Sequence, residues 1–423
     1  MTERSLTDPT LPSACFAAHL PKRLSLRQPA AAYAPSNIAL AKYWGKRDYV
    51  LNLPLNSSLS ISLADWGSHT QIFPAATACD EVWLNGESLP LDSVFTQKII
   101  SFLNFFRREQ MLPLRVETVN TLPTAAGLAS SASGFAALTL ALDKAFNLQL
   151  SHSVLSMLAR FGSGSATRSL WHGFVRWDRG EKQDGSDSFA RPLALDWPEF
   201  RIAIVPVDTG PKSRSSRDGM NHTVATSPLF QTWPAQAEAD CTAVHMALEA
   251  RDFATLGALS EANALALHAT MMAARPALCY LKPQSWSVLE QLWAAREEGH
   301  EIYATMDAGA NVKLLFLSSE ESFVRHNFST ASVIRPFDQP YIVSAAGGRV
   351  GQTPSLNWPF VCGLLRFRPT EWPAFIARVK ARGTTENCLA YCRPREDPQE
   401  PSSFRSASSA YFRPREDPLG ARF

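Results

Sequence analysis

Residues 123–134 read Pro-Thr-Ala-Ala-Gly-Leu-Ala-Ser-Ser-Ala-Ser-Gly and run directly into a segment whose apolar residues have helical spacing. Phe135, Leu138, Leu142 and Phe146 would share one face of that helix. Small residues allow close backbone approach, and the unpaired N–H groups at a helix start suit a polyphosphate. The same composition also serves helix capping and close packing, and spacing alone does not choose between the two. The Gly-Lys-Ser/Thr ending of a Walker A loop is missing, which disfavours an ordinary P-loop NTPase.

The remaining periodicity predicts a mixture of strands and helices. Period-2 alternation and short apolar runs bounded by turn residues predict strands at 58–63, 114–118, 171–177, 201–207, 302–305 and 312–317. Helical spacing predicts one helix ending near Phe161, two within 235–272, and a further one containing Trp286 and Trp293. The last two strands bracket a turn at 306–311. This succession predicts an α+β architecture.

Composition limits the class of protein. The chain has 423 residues, 45% of them hydrophobic, which is enough for two or three domains. Lys plus Arg number 41 against 39 Asp plus Glu, so no overall field favours nucleic acid or an acidic membrane surface, and any anionic ligand must be bound locally. Seven scattered Cys predict a reducing cytoplasm. No apolar run is long enough for a membrane span, and prolines interrupt the first thirty residues where a signal peptide would need an apolar core.

Several longer blocks resemble one enzyme family. Residues 34–48 read Ala-Pro-Ser-Asn-Ile-Ala-Leu-Ala-Lys-Tyr-Trp-Gly-Lys-Arg-Asp, and further blocks follow in order at 53–60, 162–169, 212–227 and 306–311. The Gly- and Ser-rich stretch quoted first resembles the phosphate loop of the GHMP kinases. The other blocks resemble the diphosphomevalonate decarboxylases within that superfamily, over roughly residues 30 to 370.

The resemblance implies a fold and a domain organisation. It implies the α+β GHMP kinase fold, with an N-terminal ribosomal protein S5 domain 2-like domain at 30–205 packed on a C-terminal ferredoxin-like domain at 206–385. Residues 1–29 are expected to form a flexible arm. Residues 386–423 are expected to form a flexible tail that carries Arg-Pro-Arg-Glu-Asp-Pro twice, because two polar copies are too few to stack as a solenoid.

The resemblance also implies an activity and its residues. The implied reaction is the ATP- and Mg²⁺-dependent decarboxylation of 5-diphosphomevalonate to isopentenyl diphosphate by a cytoplasmic homodimer. The implied catalytic residues are Asp307, Arg168 and Lys42. The implied substrate-binding residues are Asn37, Tyr43, Trp44, Gly45, Lys46, Ser163, Gly164, Ser165, Arg168, Ser216, Arg217 and Met220. The implied ATP-binding residues are Pro123, Ala126, Gly127, Leu128, Ser130 and Ser131.

The residue types suit this chemistry, although each has a simpler explanation. Lys42, Tyr43 and Lys46 place two cations and a phenol within five positions, as a diphosphate requires, but a basic strand end with aromatic packing looks the same. Arg168 can hold a carboxylate through two parallel hydrogen bonds or form an internal salt bridge. Asp307 can orient a hydroxyl and accept its proton or form an Asx turn. The basic segment around Ser216 and Arg217 can contact phosphate or form an exposed loop.

One departure from the family bears on the substrate. Family members often carry an Arg before a Thr-Gln pair, and this chain has Phe95 there, with Lys98 as a possible substitute. Three alternatives therefore stay open: a 5-phosphomevalonate decarboxylase, a mevalonate 3-kinase, and an inactive nucleotide-binding regulator. The sequence names no carboxylate as a magnesium ligand, and the His and Cys spacings do not predict a zinc site.

Overall fold

The computed structural model describes residues 19–26, 29–108, 110–122, 130–208, 210 and 214–338. The strands in these ranges are β1 (Ala30–Ala41), β2 (Lys46–Asp48), β3 (Leu53–Pro54), β4 (Ser58–Pro74), β5 (Glu81–Leu84), β6 (Glu87–Ser88), β7 (Leu114–Asn120), β8 (Phe174–Trp177), β9 (Ala190–Pro192), β10 (Phe200–Val205), β11 (Tyr303–Met306), β12 (Val312–Leu317) and β13 (Ser332–Ile334). The helices are α1 (Val94–Arg107), α2 (Ser131–Ala145), α3 (His152–Gly162), α4 (Ser216–Thr226), α5 (Trp233–Ala250), α6 (Phe253–Met272), α7 (Pro283–Glu297) and α8 (Glu321–Asn327).

The first sheet is organised around the long strand β4. Six of its seven strands lie in the order β6-β5-β7-β4-β8-β9, and β1 pairs antiparallel with β4 from Ala30 opposite Ile72 to Ala41 opposite Leu59. The register of β1 shifts between Pro35 and Asn37 and again after Ala39. Such irregularities redirect side chains, and these two lie immediately beside the predicted site residues in and after β1.

The second sheet is antiparallel, with strand order β11-β12-β10-β13. Met306 of β11 pairs with Val312 of β12, so the turn between them carries Asp307 at the end of the sheet. Helix α6 packs against β11. The sequence therefore presents Asp307 on a short loop that two paired strands hold in place.

A shared hydrophobic cluster joins the two sheets. It contains Ile38 and Leu40 of β1 together with Phe200 and Ile202 of β10, and all four side chains are buried. Because apolar burial stabilises a contact roughly in proportion to its area, this cluster holds the end of β1 against the second sheet. The residues that follow β1 thus lie beside the β11–β12 turn.

Buried hydroxyl groups anchor the start of α2 to the first sheet. Ser133 Oγ lies 2.7 Å from Ser68 Oγ and accepts from Ser36 Oγ at 3.1 Å. Ser68 Oγ in turn donates to Asn120 Oδ1 at 2.7 Å. Buried hydroxyls need such partners, so this chain of bonds fixes the helix start relative to β1, β4 and β7. The helix predicted from the spacing of Phe135 and its partners is confirmed.

The α+β prediction is confirmed. The predicted strands and helices are present with shifts of a few residues at their ends, except that the strand predicted at 58–63 is the start of β4, which continues to Pro74. The expectations did not include α1, α4 or α8. Leu20 and Leu24 pack into the core beside α1. Residues 1–18 and the duplicated tail lie outside the described residues. The domain boundary at 205/206 stays a prediction. No helix in the described ranges is long and apolar enough to cross a membrane.

Candidate active site

Two buried lysines hold the carboxylate of Asp307. Lys42 Nζ lies 2.9 Å from Asp307 Oδ1, and Lys313 Nζ lies 3.2 Å from Oδ2. The lysine side chains are only 2% and 3% exposed, whereas that of Asp307 is 39% exposed. The two buried ammonium groups therefore hold the carboxylate in place, while its exposed side stays open to a ligand.

The charges around Asp307 keep it ionised. Burial alone would raise the pKa of Asp307, but Lys313 and Lys42 hold it well below its usual range. Burial lowers the pKa of Lys42 to about 8, against the opposing effect of Asp307. At neutral pH the site thus presents a carboxylate and protonated Lys42.

The backbone on both sides of this ion pair is held by buried polar side chains. Lys42 N donates to Asn263 Oδ1 at 2.8 Å, and Asn56 Nδ2 donates to Lys42 O at 2.7 Å. On the other side, His268 Nε2 lies 3.2 Å from Asp307 O. Burial lowers the pKa of His268 to about 4, with a further contribution from Lys42, so the ring is neutral and donates its proton to this carbonyl.

Asn311 closes the turn that carries Asp307. Its Oδ1 accepts from Val207 N at 2.8 Å and from Asp208 N at 2.9 Å, in the segment that follows β10. Asp307 O also accepts from Gly309 N at 2.6 Å. Asp307 therefore takes part in a local turn through its backbone, while its side chain is used for the ion pairs. The Asx-turn explanation of Asp307 is not supported by the bonds of its carboxylate.

Arg168 ends the short 3-10 helix Gly164–Arg168 and is 3% exposed. Its Nη1 donates to Ser58 Oγ and its Nη2 donates to Asn37 Oδ1 at 3.4 Å. Asn37 Nδ2 donates to Ser169 Oγ at 2.8 Å, which fixes the amide. Arg168 Nε is buried without a hydrogen-bond partner among the described residues. A buried N–H without an acceptor is costly, so this guanidinium is suited to receive an anion.

Tyr43 lies against the serine-rich segment that contains Arg168. A Cβ on Gly164 would be 2.8 Å from Tyr43 Cε1, so the ring requires glycine at that position. Burial raises the pKa of Tyr43 in spite of Arg217 and Arg168, which keeps the hydroxyl protonated. Its Oη is buried and has no partner in the part of the chain that is described. Ser163 Oγ and Ser165 Oγ, on either side of Gly164, are 3.2 Å apart.

Lys46 and Arg217 bring further positive charge to the same region. Lys46 Nζ donates to Asn52 Oδ1 at 2.6 Å. Burial and, to a lesser extent, the charge of Arg217 lower the pKa of Lys46 to about 8. Arg217 lies in the first turn of α4, which Ser215 caps by accepting from Asp218 N. Ser216 and Arg217 therefore belong to a helix start and not to a loop, whereas Arg214 precedes the helix and Lys212 lies outside the described residues.

Trp44, Gly45 and Met220 have evident packing roles. Trp44 and Met220 are 4% and 5% exposed and share a hydrophobic cluster with Phe230 and Trp233. Gly45 has φ +104°, and a Cβ there would be 2.6 Å from Phe230 Cζ. Their assignment to substrate binding stays a prediction.

The described part of the predicted ATP site is the start of α2. Ser130 is its N-cap residue but makes no capping bond with its side chain, and Ser131 in the first turn is exposed. Both hydroxyls and the helix-start N–H groups are thus placed for a phosphate. Pro123, Ala126, Gly127 and Leu128 lie outside the described residues.

The residues that are described contain no group of three or more His, Cys, Asp or Glu that could hold a metal ion. Magnesium that arrives with a nucleotide needs few protein ligands, because phosphate oxygens and water fill most of its coordination shell. The absence of a dedicated cage is compatible with such an ion.

Sequence reasoning missed Lys313 and His268. A sequence signal existed for Lys313, since it is the one charged residue in the run Val312–Leu317, and a lysine inside an otherwise apolar strand needs a buried anion. His268 gave no such signal, because a single histidine in an Ala- and Leu-rich helix is an ordinary core residue.

Two family models match the chain. The model described as diphosphomevalonate decarboxylase-like N-terminal domain matches residues 34–190, and the one described as mevalonate 5-diphosphate decarboxylase C-terminal domain matches residues 202–339. The diphosphomevalonate decarboxylase of Eremothecium gossypii is 40% identical over 313 residues, which are 69% of this chain and 79% of that protein. The human diphosphomevalonate decarboxylase is 36% identical over 310 residues, with coverages of 67% and 76%.

Solved structures are similar in fold as well as in sequence. The mevalonate diphosphate decarboxylase of Staphylococcus aureus is 35% identical, with a TM-score of 0.69 over 73% of this chain and 95% of that one. A complex of MDDEF with MVAPP, AMPPCP and magnesium is 40% identical, with a TM-score of 0.67 over 72% and 95%. The mixed sheets and helices described above thus form the fold of this group of proteins.

Proposed function

The chain belongs to the diphosphomevalonate decarboxylase family, and on this premise we propose that Lys42, Arg168 and Asp307 carry out its reaction. The protein is an ATP- and Mg²⁺-dependent decarboxylase with the GHMP kinase fold. It converts 5-diphosphomevalonate to isopentenyl diphosphate, with release of CO₂, phosphate and ADP. The observation that carries the residue assignment is the ion pair of Lys42 with a partly exposed Asp307, next to a buried Arg168 that has an unused donor.

Asp307 acts on the 3-hydroxyl of the substrate. Its ionised carboxylate accepts a hydrogen bond from that hydroxyl, orients the oxygen toward the γ-phosphoryl group of ATP, and accepts the proton as the phosphorus–oxygen bond forms. Lys42 and Lys313 fix the carboxylate during this step. Lys42 also supplies positive charge where the transferring phosphoryl group carries negative charge.

Arg168 acts on the carboxylate that leaves. After transfer, the C3–O bond breaks and its electron pair departs with phosphate. The electrons of the C1–C2 bond then form the C2–C3 double bond, and CO₂ is released. Arg168 holds the carboxylate through its guanidinium, whose Nε the protein leaves without a partner among the described residues, and this aligns the bond to be broken.

ATP is placed by the start of α2. Ser130 and Ser131 supply hydroxyls, and the helix start supplies N–H groups, for its phosphates. Magnesium bound with the nucleotide neutralises charge that develops on the phosphoryl oxygens. The serine bonds that tie α2 to the first sheet keep this helix start in register with Asn37 and Arg168.

The diphosphate is bound by Tyr43, Lys46 and Arg217, with Lys98 as a further cation. Burial lowers the pKa of Lys98; the charge of Arg217 lowers it further, and Asp218 opposes this. Lys98 is therefore near the start of α4, one helical turn after Phe95 in α1. We assign to Lys98 the distal phosphate contact that Phe95 cannot make.

The assay that tests this function follows ADP and CO₂ together, with 5-diphosphomevalonate or 5-phosphomevalonate as substrate. Equal release of both products and a preference for the diphosphate are expected. Lys98→Met should raise KM for the diphosphate about tenfold with kcat unchanged, since it removes one charge from binding only. Lys182→Met, which removes an exposed lysine, serves as the control. A preference for the monophosphate would refute the diphosphate assignment, ADP without CO₂ would indicate a kinase, and no release of either would refute the enzyme.

The homodimer and the cytoplasmic location are also proposals. The family resemblance supports the dimer, and free thiols at Cys79, Cys241 and Cys279 support a reducing compartment. A sedimentation-equilibrium mass near the 46.6 kDa of a single chain would contradict the dimer.

A further inference from the structure

Lys313 is buried at a position where the sheet is otherwise apolar. It belongs to β12, whose other five residues are Val, Leu, Leu, Phe and Leu. A buried ammonium is costly unless it is paired and hydrogen-bonded. Lys313 Nζ has two partners, Asp307 Oδ2 at 3.2 Å and Asn311 O at 3.3 Å. The strand therefore directs this charge at the carboxylate of Asp307.

The two lysines reach Asp307 from different parts of the fold. Lys42, directly after β1, reaches Oδ1 and is anchored by Ala39 O at 2.9 Å. Lys313 reaches Oδ2 from β12. With one ammonium on each oxygen, the carboxylate has little freedom to rotate. A single lysine would leave the second oxygen free to turn toward solvent, because the Asp307 side chain is 39% exposed.

We propose that Lys313 is a positioning residue of the decarboxylation reaction, which fixes the plane of the Asp307 carboxylate and adjusts the charge of Lys42 through their shared anion. The inference rests on the proposed role of Asp307. Lys313 does not need to touch the substrate for this role, since it acts through Oδ2 and the exposed side of the carboxylate remains open to a ligand.

The groups that face Asp307 decide the pH dependence. They are Lys42 from the end of β1, Lys313 from β12, His268 from α6 and Arg168 from the 3-10 helix. The net pKa of Lys42 is about 8, lowered mainly by burial. The charge of Asp307 opposes this lowering, and the charges of Lys313 and Arg168 add to it. The charged form of Lys42 is present below this pKa and is lost above it. Removal of the Lys313 charge removes one lowering effect, so the pKa of Lys42 must rise.

The test measures kcat and KM from about pH 6 to about pH 10 for the wild-type enzyme, Lys313→Met and Lys313→Arg. In Lys313→Met, the alkaline loss of kcat should move up by about one pH unit, because a like charge sharing the same anion is gone. At pH 7, kcat should fall about tenfold through misplacement of the carboxylate, with KM for 5-diphosphomevalonate within about twofold of wild type. Lys313→Arg keeps the charge and should keep the alkaline limb near that of wild type.

Controls separate this inference from the function and from folding. Lys144→Met removes a partly buried lysine from the far end of α2 and should leave the pH profile unchanged. Lys313→Gln, which retains a donor without the charge, replaces Lys313→Met if thermal unfolding shows that the latter is unfolded. An unmoved alkaline limb in the folded neutral variant, or a rise in KM without loss of kcat, would overturn the inference. Activity of the wild-type enzyme in the same assay tests the function independently.

Discussion

Replacement of Asp307 by Asn is expected to lower kcat for the coupled release of ADP and CO₂ by about 10³-fold, with KM for the substrate changed by less than about threefold. The amide keeps the shape of the side chain and can still accept a hydrogen bond from Lys42. It cannot accept the proton of the 3-hydroxyl, and it cannot neutralise Lys42 and Lys313. Both products should be lost together, because phosphoryl transfer precedes loss of CO₂ in the proposed sequence.

The comparison of the two products decides what Asp307 does. Asp184→Asn, in an exposed loop, is the control for removal of a carboxylate, and thermal unfolding verifies that Asp307→Asn is folded. Continued ADP release at the wild-type rate without CO₂ would place Asp307 in the decarboxylation step only. Wild-type release of both products would remove it from the mechanism.

Because of its low pKa, Asp307 cannot be the group whose protonation lowers kcat on the acid side of the pH profile. Two lysines hold this pKa well below its usual range, so the carboxylate stays ionised at any pH at which an ordinary Asp, with a pKa of about 3.9, is ionised. A loss of kcat between about pH 5 and 6 therefore has to come from another group, such as a substrate phosphate, whose second pKa is about 6.

Local patterns predicted many of the strands and helices, but they could not predict which of these elements meet. Lys42 and Asp307 are 265 positions apart, and no periodicity joins them. Only the family resemblance placed both in one site before the structure showed Nζ and Oδ1 at 2.9 Å. The physical cause of their proximity is the cluster that packs Ile38 and Leu40 against Phe200 and Ile202, and cross-sheet packing of that kind leaves no local trace in the sequence.

Two of the helices absent from the expectations, α1 and α4, were missed for different reasons. In α1, Ile99, Phe102, Leu103 and Phe106 are buried at helical spacing, so its periodicity was available in the sequence. In α4, only Gly219, Met220 and Thr223 are buried, and polar residues fill the rest. Because α4 has no apolar stripe, a basic loop was an equally good interpretation until the structure placed Ser215 as its N-cap.

Substitution of Arg168 is expected to affect CO₂ release more than ADP release. Arg168→Met should lower CO₂ release by about 10³-fold, and Arg168→Lys should recover only about tenfold of that loss, because an ammonium keeps the charge but not the planar pair of donors. Arg191→Met removes an arginine whose side chain is 54% exposed and is the control. Thermal unfolding is required as well, since Arg168 bonds Ser58 and Asn37. Equal loss of both products with a raised KM would instead assign Arg168 to general substrate binding.

CO₂ release is expected to depend on Arg168 more than ADP release does, because of the charge of the leaving group and the alignment of the bond that breaks. CO₂ is neutral, so a cation that bound the ground-state carboxylate very strongly would oppose its departure. Arg168 is buried, and it and Lys42 both interact with the negative charge of Asp307. In the proposed role, this arrangement attracts the anionic substrate, and the guanidinium plane, which lies over the Trp177 ring at 5.8 Å, sets the direction of the C1–C2 bond. Alignment of that bond with the breaking C3–O bond is what Arg168→Lys should lose, and ADP release, which needs no such alignment, should retain more of its rate.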